Sequence, residues 1–117
     1  MPVRSSDCLF CKIVAEDVPA DIVHESDHVV AFRDINPQAP THVLLIPKDH
    51  IESAAELTEE HEGVLMELVR SAAHLAKAEG LENGWRLVTN VGTEAGQSVP
   101  HLHFHLLGGR RMSWPPG

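Results

Sequence analysis

The run His101-Leu102-His103-Phe104-His105-Leu106-Leu107 constrains this chain more than any other stretch. Three imidazoles alternate with large apolar side chains, and a period of two is the period of a strand. The histidines then share one face, about 7 Å apart at twice the strand rise, while Leu102, Phe104 and Leu106 anchor the other face in a core. Imidazoles carried on such a support can be placed accurately enough for chemistry. A metal could recruit them as neutral ligands. Alternatively, one could act as a nucleophile whose neighbours set its tautomer and handle protons. The plain alternative is a solvated sheet face that happens to be rich in histidine; three in strict alternation, closed by Gly108-Gly109, weigh against it.

The rest of the chain suits one compact unit. At 117 residues it is large enough for its own core, with little to spare. No apolar run approaches the ~20 residues of a membrane span, and the opening Met1–Asp7 lacks the apolar centre of a signal peptide. A cytoplasmic location is the expectation, with no membrane partner. The net charge of −8 argues against broad contact with nucleic acid, which needs clustered Lys and Arg. It still allows one small anionic ligand, because backbone amides and histidines can receive a phosphate.

Along the chain, Asp7–Val18 begins with a short turn or helix, ended by Pro19. Ile22–Glu25 and His28–Asp34 read as strands split by a turn at Ser26-Asp27, with Val29, Val30 and Phe32 supporting the second. Asn36-Pro37-Gln38-Ala39-Pro40 is a rigid connection. His42–Ile46 is almost wholly apolar and reads as a central strand. The main helix runs from Thr58 to about Glu79, with Thr58 as N-cap, acidic residues in its first turn and Gly80 just past its end. Its buried stripe is Leu65, Leu68, Ala72, Leu75 and Ala76. His61 and His74 on this helix have no partner pattern and read as surface. Trp85–Asn90 and His101–Leu107 complete five strands, with Pro100 tolerated at the start of the last. Short antiparallel strands with interspersed helices predict an α+β fold.

The two cysteines, Cys8 and Cys11, stand in Cys-x-x-Cys spacing. That is half a zinc site. A disulfide scaffold would need more cysteines and a secreted context, and a thioredoxin-like role needs a βαβ context that is absent. Two buried thiols packing as small hydrophobes are the plain alternative.

These residues together carry a family resemblance. His101–Leu107 resembles the signature of the histidine triad (HIT) family. The match extends through Asn90 and Gly96-Gln97-Ser98-Val99, then Phe10, Lys12 and Ile13, Phe32-Arg33-Asp34-Ile35, Thr41-His42 and Pro47-Lys48. The closing Trp114-Pro115-Pro116-Gly117 resembles the tail of the Hint branch, whose members commonly lack the cysteine pair. The resemblance covers nearly the whole chain, 1–117, as a single HIT domain. It implies a five-stranded antiparallel half-barrel with two helices, paired into a homodimer through a continuous sheet.

For activity, the resemblance implies a purine nucleoside phosphoramidase or similar nucleotide hydrolase working through a covalent nucleotidyl-histidine. His103 would be the nucleophile, oriented by the backbone carbonyl of His101. His105 would contact the phosphate, Ser98 the leaving group, and His42 would support the triad. Gln97 and Ser98 would offer backbone amides to phosphate oxygens, with Gly96 allowing close approach. Asp34 would hold the ribose, and Phe10, Ile13, Val18, Phe32 and Ile35 would line the base pocket, with Asn90 as a further donor. Each has a plainer alternative. Phe10, Ile13, Phe32 and Ile35 could be core, Asp34 could be turn chemistry, His42 could be structural and Asn90 could simply end a strand. Some bacterial members bind zinc through such a cysteine pair with the residues matching His50 and His101, which implies a closed structural site beside the nucleophile and not on it. No organic cofactor is implied. Trp114 would reach the neighbouring subunit's site and shape its leaving-group side. The rival readings are a dinucleoside polyphosphate hydrolase or nucleotidylyl transferase, a non-catalytic nucleotide-binding interaction module, and a histidine-cysteine metal carrier.

Overall fold

Cys8 opens the first helix by accepting the Cys11 N–H on its thiol, and α1 spans Leu9–Val14. The computed structural model describes residues 5–117; Met1–Arg4, the start of the polar opening discussed above, lie outside the described residues. The helix stops where Glu16 takes a φ of 64°, a backbone conformation that right-handed helix cannot contain. Strands β1 (Ile22–Glu25), β2 (Val29–Arg33) and β3 (Thr41–Pro47) follow, then the long helix α2 (Glu62–Ala78), β4 (Trp85–Val88) and β5 (Phe104–Gly108). All neighbouring strands are antiparallel, in the order β1-β2-β3-β5-β4. This is the expected α+β arrangement of five strands and two helices.

β3 is buried at every residue, as its nearly unbroken apolar sequence predicts for a central strand. Its alternate side chains serve two separate packing layers. Val43 and Leu45 join Leu106, Leu102 and the α2 residues Leu68, Ala72 and Leu75 in one core. Leu44 and Ile46 join Val30, Phe32 and the α1 residues Phe10, Cys11 and Ile13 in the other. His42 shares the α1-side row of β3, and His105 pairs with Leu44 across the strands. The chemistry therefore sits on the α1 side of the sheet, while α2 supports the sheet from behind. The far end of α2 is tied to β2 by a two-pronged ion pair: Arg33 donates to both oxygens of Glu79, at 2.9 and 3.2 Å. That bond holds the Glu79 carboxyl below its ordinary range and fixes the end of β2, where Asp34 follows.

Three boundaries differ from the sequence expectation. The last strand begins at Phe104, not at His101. Leu102 N–H donates to Ile51 O at 2.6 Å and His101 N–H to Val99 O at 2.8 Å, so the approach bends at His101 and joins the ladder only at Phe104. β4 ends at Val88 and not at Asn90, because the Thr89 hydroxyl takes the His103 carbonyl at 2.8 Å where a ladder bond would otherwise form. The long helix is preceded by a separate 3₁₀ turn, Glu59–His61, capped by Thr58. His61 is part of that cap: its Nδ1 accepts the Thr58 N–H at 2.9 Å, so it has a structural partner that its sequence position did not disclose. His74 is exposed, with its ring 5.6 Å from that of His24.

Candidate active site

His103 is held in one tautomer by the backbone that carries it. It is 4% exposed, and its Nδ1 lies 2.7 Å from the carbonyl oxygen of His101. A carbonyl only accepts, so Nδ1 carries the hydrogen and Nε2 keeps a lone pair. Phe10 stands edge-on to this ring at 5.1 Å, and the His105 ring lies at 5.1 Å on another side. That spacing is closer than the ~7 Å of an ideal strand row, because His103 precedes the ladder and His105 lies within it.

A second set of bonds assigns the neighbours. The Gln38 N–H donates to His42 Nδ1 at 3.0 Å. A backbone amide only donates, so Nδ1 is an acceptor and His42 carries its hydrogen on Nε2. That atom lies 2.9 Å from His105 Nδ1 and 3.4 Å from Asp34 Oδ2. Donation across the shorter contact leaves His105 with its hydrogen on Nε2, as a neutral donor. Burial pushes His105 down to about 4, with the neighbouring His103 and His42 adding to the effect. Burial likewise lowers His42, opposed by Asp34. Both rings are therefore neutral at pH 7, one donating into the other.

Asp34, His42 and His105 also lie close enough to share an ion. The tautomers argue against it. A ligating histidine normally donates its other ring N–H to a second group, whereas His42 Nδ1 already accepts from Gln38. Coordination at Nε2 would require an imidazolate. This grouping is a hydrogen-bond relay.

Cys8, Cys11, His50 and His101 form the other cluster, their ligand atoms all within 4.8 Å of one another. Cys8 Sγ is 3.2 Å and Cys11 Sγ 3.6 Å from His101 Nδ1, and Cys11 Sγ is 3.4 Å from His50 Nδ1. A tetrahedral zinc ion with ordinary bonds to sulfur and nitrogen holds its ligands about 3.3–3.8 Å apart. The tautomer fits as well: His101 Nε2 donates to Pro47 O at 2.9 Å, which leaves Nδ1 its lone pair. Burial lowers His101 to about 4, so the ring is neutral and ready to ligate. This donor set suits a structural zinc ion held by two thiolates and two imidazoles.

The remaining candidates divide. Phe10, Ile13 and Phe32 are buried in the α1-side core, with Val18 packed against it, and Phe10 also borders His103. Ile35 is fully exposed, at 102%, and core is excluded for it. Asp34 combines two roles, accepting from Asn36 N–H through Oδ1 in a turn and facing His42 through Oδ2. In the Gly96-Gln97-Ser98 loop, the Gln97 amide donates to Gly92 O at 3.1 Å. Its side chain braces the loop against Gly92, Glu52 and Val99. The Gln97 amide, expected to face a phosphate, closes this turn in the structure. Asn90 lies beside Gly96, its Nδ2 4.0 Å from where a Cβ would stand. Ser98 is exposed, and so is Trp114, at 81%. Sequence reasoning missed the Gln38 amide, the Thr89 hydroxyl and the Pro47 carbonyl. Two of these are backbone groups, for which no residue type is diagnostic.

The family model described as HIT domain matches residues 15–112. A 14 kDa zinc-binding protein of Zea mays is 51% identical over 114 residues, covering 96% of this chain and 89% of that protein. Adenylylsulfatase HINT1 of Arabidopsis thaliana is 47% identical over 114 residues, covering 96% of this chain and 78% of its own. The crystal structure of a HIT family hydrolase from Legionella pneumophila superposes with a TM-score of 0.93 at 52% identity, covering 95% of this chain and all of that one.

Proposed function

The chain belongs to the HIT family, and from that premise we propose that it is a hydrolase of purine nucleoside 5′-monophosphate derivatives, adenosine phosphoramidates above all. The observation that carries the reading is the His103 Nδ1 bond to the His101 carbonyl, which leaves Nε2 with a free lone pair. In the first step Nε2 attacks phosphorus, a nitrogen–phosphorus bond forms and the bond to the leaving group breaks. In the second, water attacks the same phosphorus and His103 is released. His105, neutral with its hydrogen on Nε2, donates to a phosphate oxygen, where negative charge must be held in the transition state. His42 keeps that donor in place, and Ser98 serves the leaving group. Asp34 takes the ribose hydroxyls, Phe10, Ile13, Val18, Phe32 and Ile35 border the base, and Asn90 with Gly96 shapes the phosphate loop.

The name of the Arabidopsis relative favours one variant of this chemistry, adenylyl sulfate, in which the adenylyl unit is the same and the leaving group is sulfate. A polyphosphate substrate is less well served: Arg33 is taken by Glu79 and Arg110 by the Gln38 carbonyl. Zinc at Cys8, Cys11, His50 and His101 is supported by the donor geometry and by the zinc-binding name of the maize relative; when bound it supplies a cross-link between α1 and the approach to β5. We also infer a single HIT domain over 1–117 and a two-fold dimer through the β4 edge. Among the described residues no helix is long and apolar enough to cross a membrane.

The test is turnover of three substrates side by side: an adenosine phosphoramidate, adenylyl sulfate and a diadenosine polyphosphate. A kcat/KM at least about tenfold higher for the phosphoramidate than for the polyphosphate supports the reading. Binding of all three without turnover would leave only a nucleotide-binding module.

A further inference from the structure

We propose that Arg110 is a positioning residue for the His42–His105 pair, acting through the backbone of Gln38. The proposal rests on His103 and His105 being the reacting face. Two groups set the polarity of the pair: Asp34 Oδ2, 3.4 Å from His42 Nε2, and the Gln38 N–H at Nδ1, which sits in the surface loop Asn36–Pro40. Within that loop, Asn36 N–H bonds Asp34 Oδ1 and Gln38 Nε2 bonds Asn36 O. Two contacts from outside press on it. Arg110 Nε donates to Gln38 O at 2.9 Å. Gly109, at φ 90°, packs so closely that a Cβ there would stand 2.9 Å from Pro40 Cβ.

Both contacts come from the turn that leaves β5, the strand that carries His105. The links therefore close a ring, from His105 along β5 to Arg110, on to Gln38, to His42, and back to His105. Position and proton polarity are fixed together. If the loop drifts and the Gln38 amide leaves His42 Nδ1, that nitrogen is free to take the hydrogen. His42 Nε2 then presents a lone pair to His105, which must move its own hydrogen to Nδ1. The His105 Nε2 that faced substrate as a donor becomes a lone pair facing an anionic oxygen. Donation turns into repulsion with no change in side-chain identity at the site.

The test uses full-length protein with ¹⁵N-labelled histidine, as parent, Arg110→Ala, Arg110→Lys and Gly109→Ala. Imidazole ¹⁵N shifts report the tautomers directly, independently of activity. The parent is expected to show His42 and His105 with hydrogen on Nε2, and Arg110→Ala to show a mixture at both. With an adenosine phosphoramidate, kcat for Arg110→Ala should fall about tenfold with KM within about twofold, as displacement of a positioned group predicts. Arg110→Lys, able to donate to the same carbonyl, should recover much of the rate, and Gly109→Ala should reproduce the tautomer mixture by a separate route. Unchanged tautomers in Arg110→Ala overturn the proposal whatever the rate does. A parent with no turnover would sink the hydrolase reading, while the tautomer result would still decide the role of Arg110.

Discussion

At the scale of single residues, the site works by assigning hydrogens, and groups that cannot change roles make the assignments. The His101 carbonyl can only accept and the Gln38 amide can only donate, so His103 keeps a lone pair on Nε2 and His105 a hydrogen. The histidines themselves were legible in the sequence because alternation with Leu102, Phe104 and Leu106 is unusual. Their tautomers were only half legible, since the family resemblance supplied the His101 carbonyl but nothing pointed to Gln38. His105 yields a pH prediction. Its value is about 4 against 6.5 for an ordinary imidazole, so below 6.5 the unfolded chain binds a proton that the folded chain refuses. Stability from this group is complete above about pH 6.5 and is lost as pH falls toward 4. The urea midpoint should decline across that window, and the decline should be shallower in His105→Asn. Equal slopes in parent and variant would show that His105 does not titrate this way.

At the scale of elements, α1 joins two expectations that the sequence left separate. Cys8 and Cys11 were expected to act beside the nucleophile and apart from it. The helix that Cys8 caps and Cys11 belongs to also carries Phe10, whose ring stands 5.1 Å from His103, 5.8 Å from His101 and 5.5 Å from Phe32. Whatever holds the two thiols therefore also sets one wall of the site. Six residues are too few for a helix to be stable alone, so α1 depends on its core contacts and on any ion at its N-terminus. Protein purified without added metal should contain about one zinc per chain, and Cys8→Ser with Cys11→Ser should lower Tm by about 5 °C or more. The same double variant should weaken binding of adenosine monophosphate several-fold, measured by calorimetry on folded protein. Unaltered nucleotide affinity would show that the metal site acts apart from the nucleotide pocket. The strands were easier to read: β3 was plain from composition, whereas the ends of β4 and β5 depend on Thr89 and Ile51, residues far apart in sequence that no local pattern connects.

At the scale of the whole molecule, the surface on the β4 side is unfinished. β4 is an edge strand, with Trp85 39% exposed. Trp114 in the tail is exposed too, and Arg86 donates to the Ser113 carbonyl, laying the tail along this side. An open edge with aromatic cover invites strand pairing, which fits the inferred two-fold dimer. Trp85→Lys should shift sedimentation at micromolar concentration from dimer to monomer. Deleting the chain after Met112 should change the ranking of leaving groups more than nucleotide affinity; an unchanged ranking would remove Trp114 from the neighbouring site. All of this presupposes that the molecule is built to present His103 to phosphorus. The direct measurement is mass spectrometry of protein quenched with acid-avoiding denaturant during turnover of an adenosine phosphoramidate. The expected result is one adenylyl group on the peptide containing His103, absent from His103→Ala, whose rate should fall by several orders of magnitude with the fold intact. Turnover by His103→Ala within tenfold of the parent, or an adenylyl group found on another residue, would contradict it.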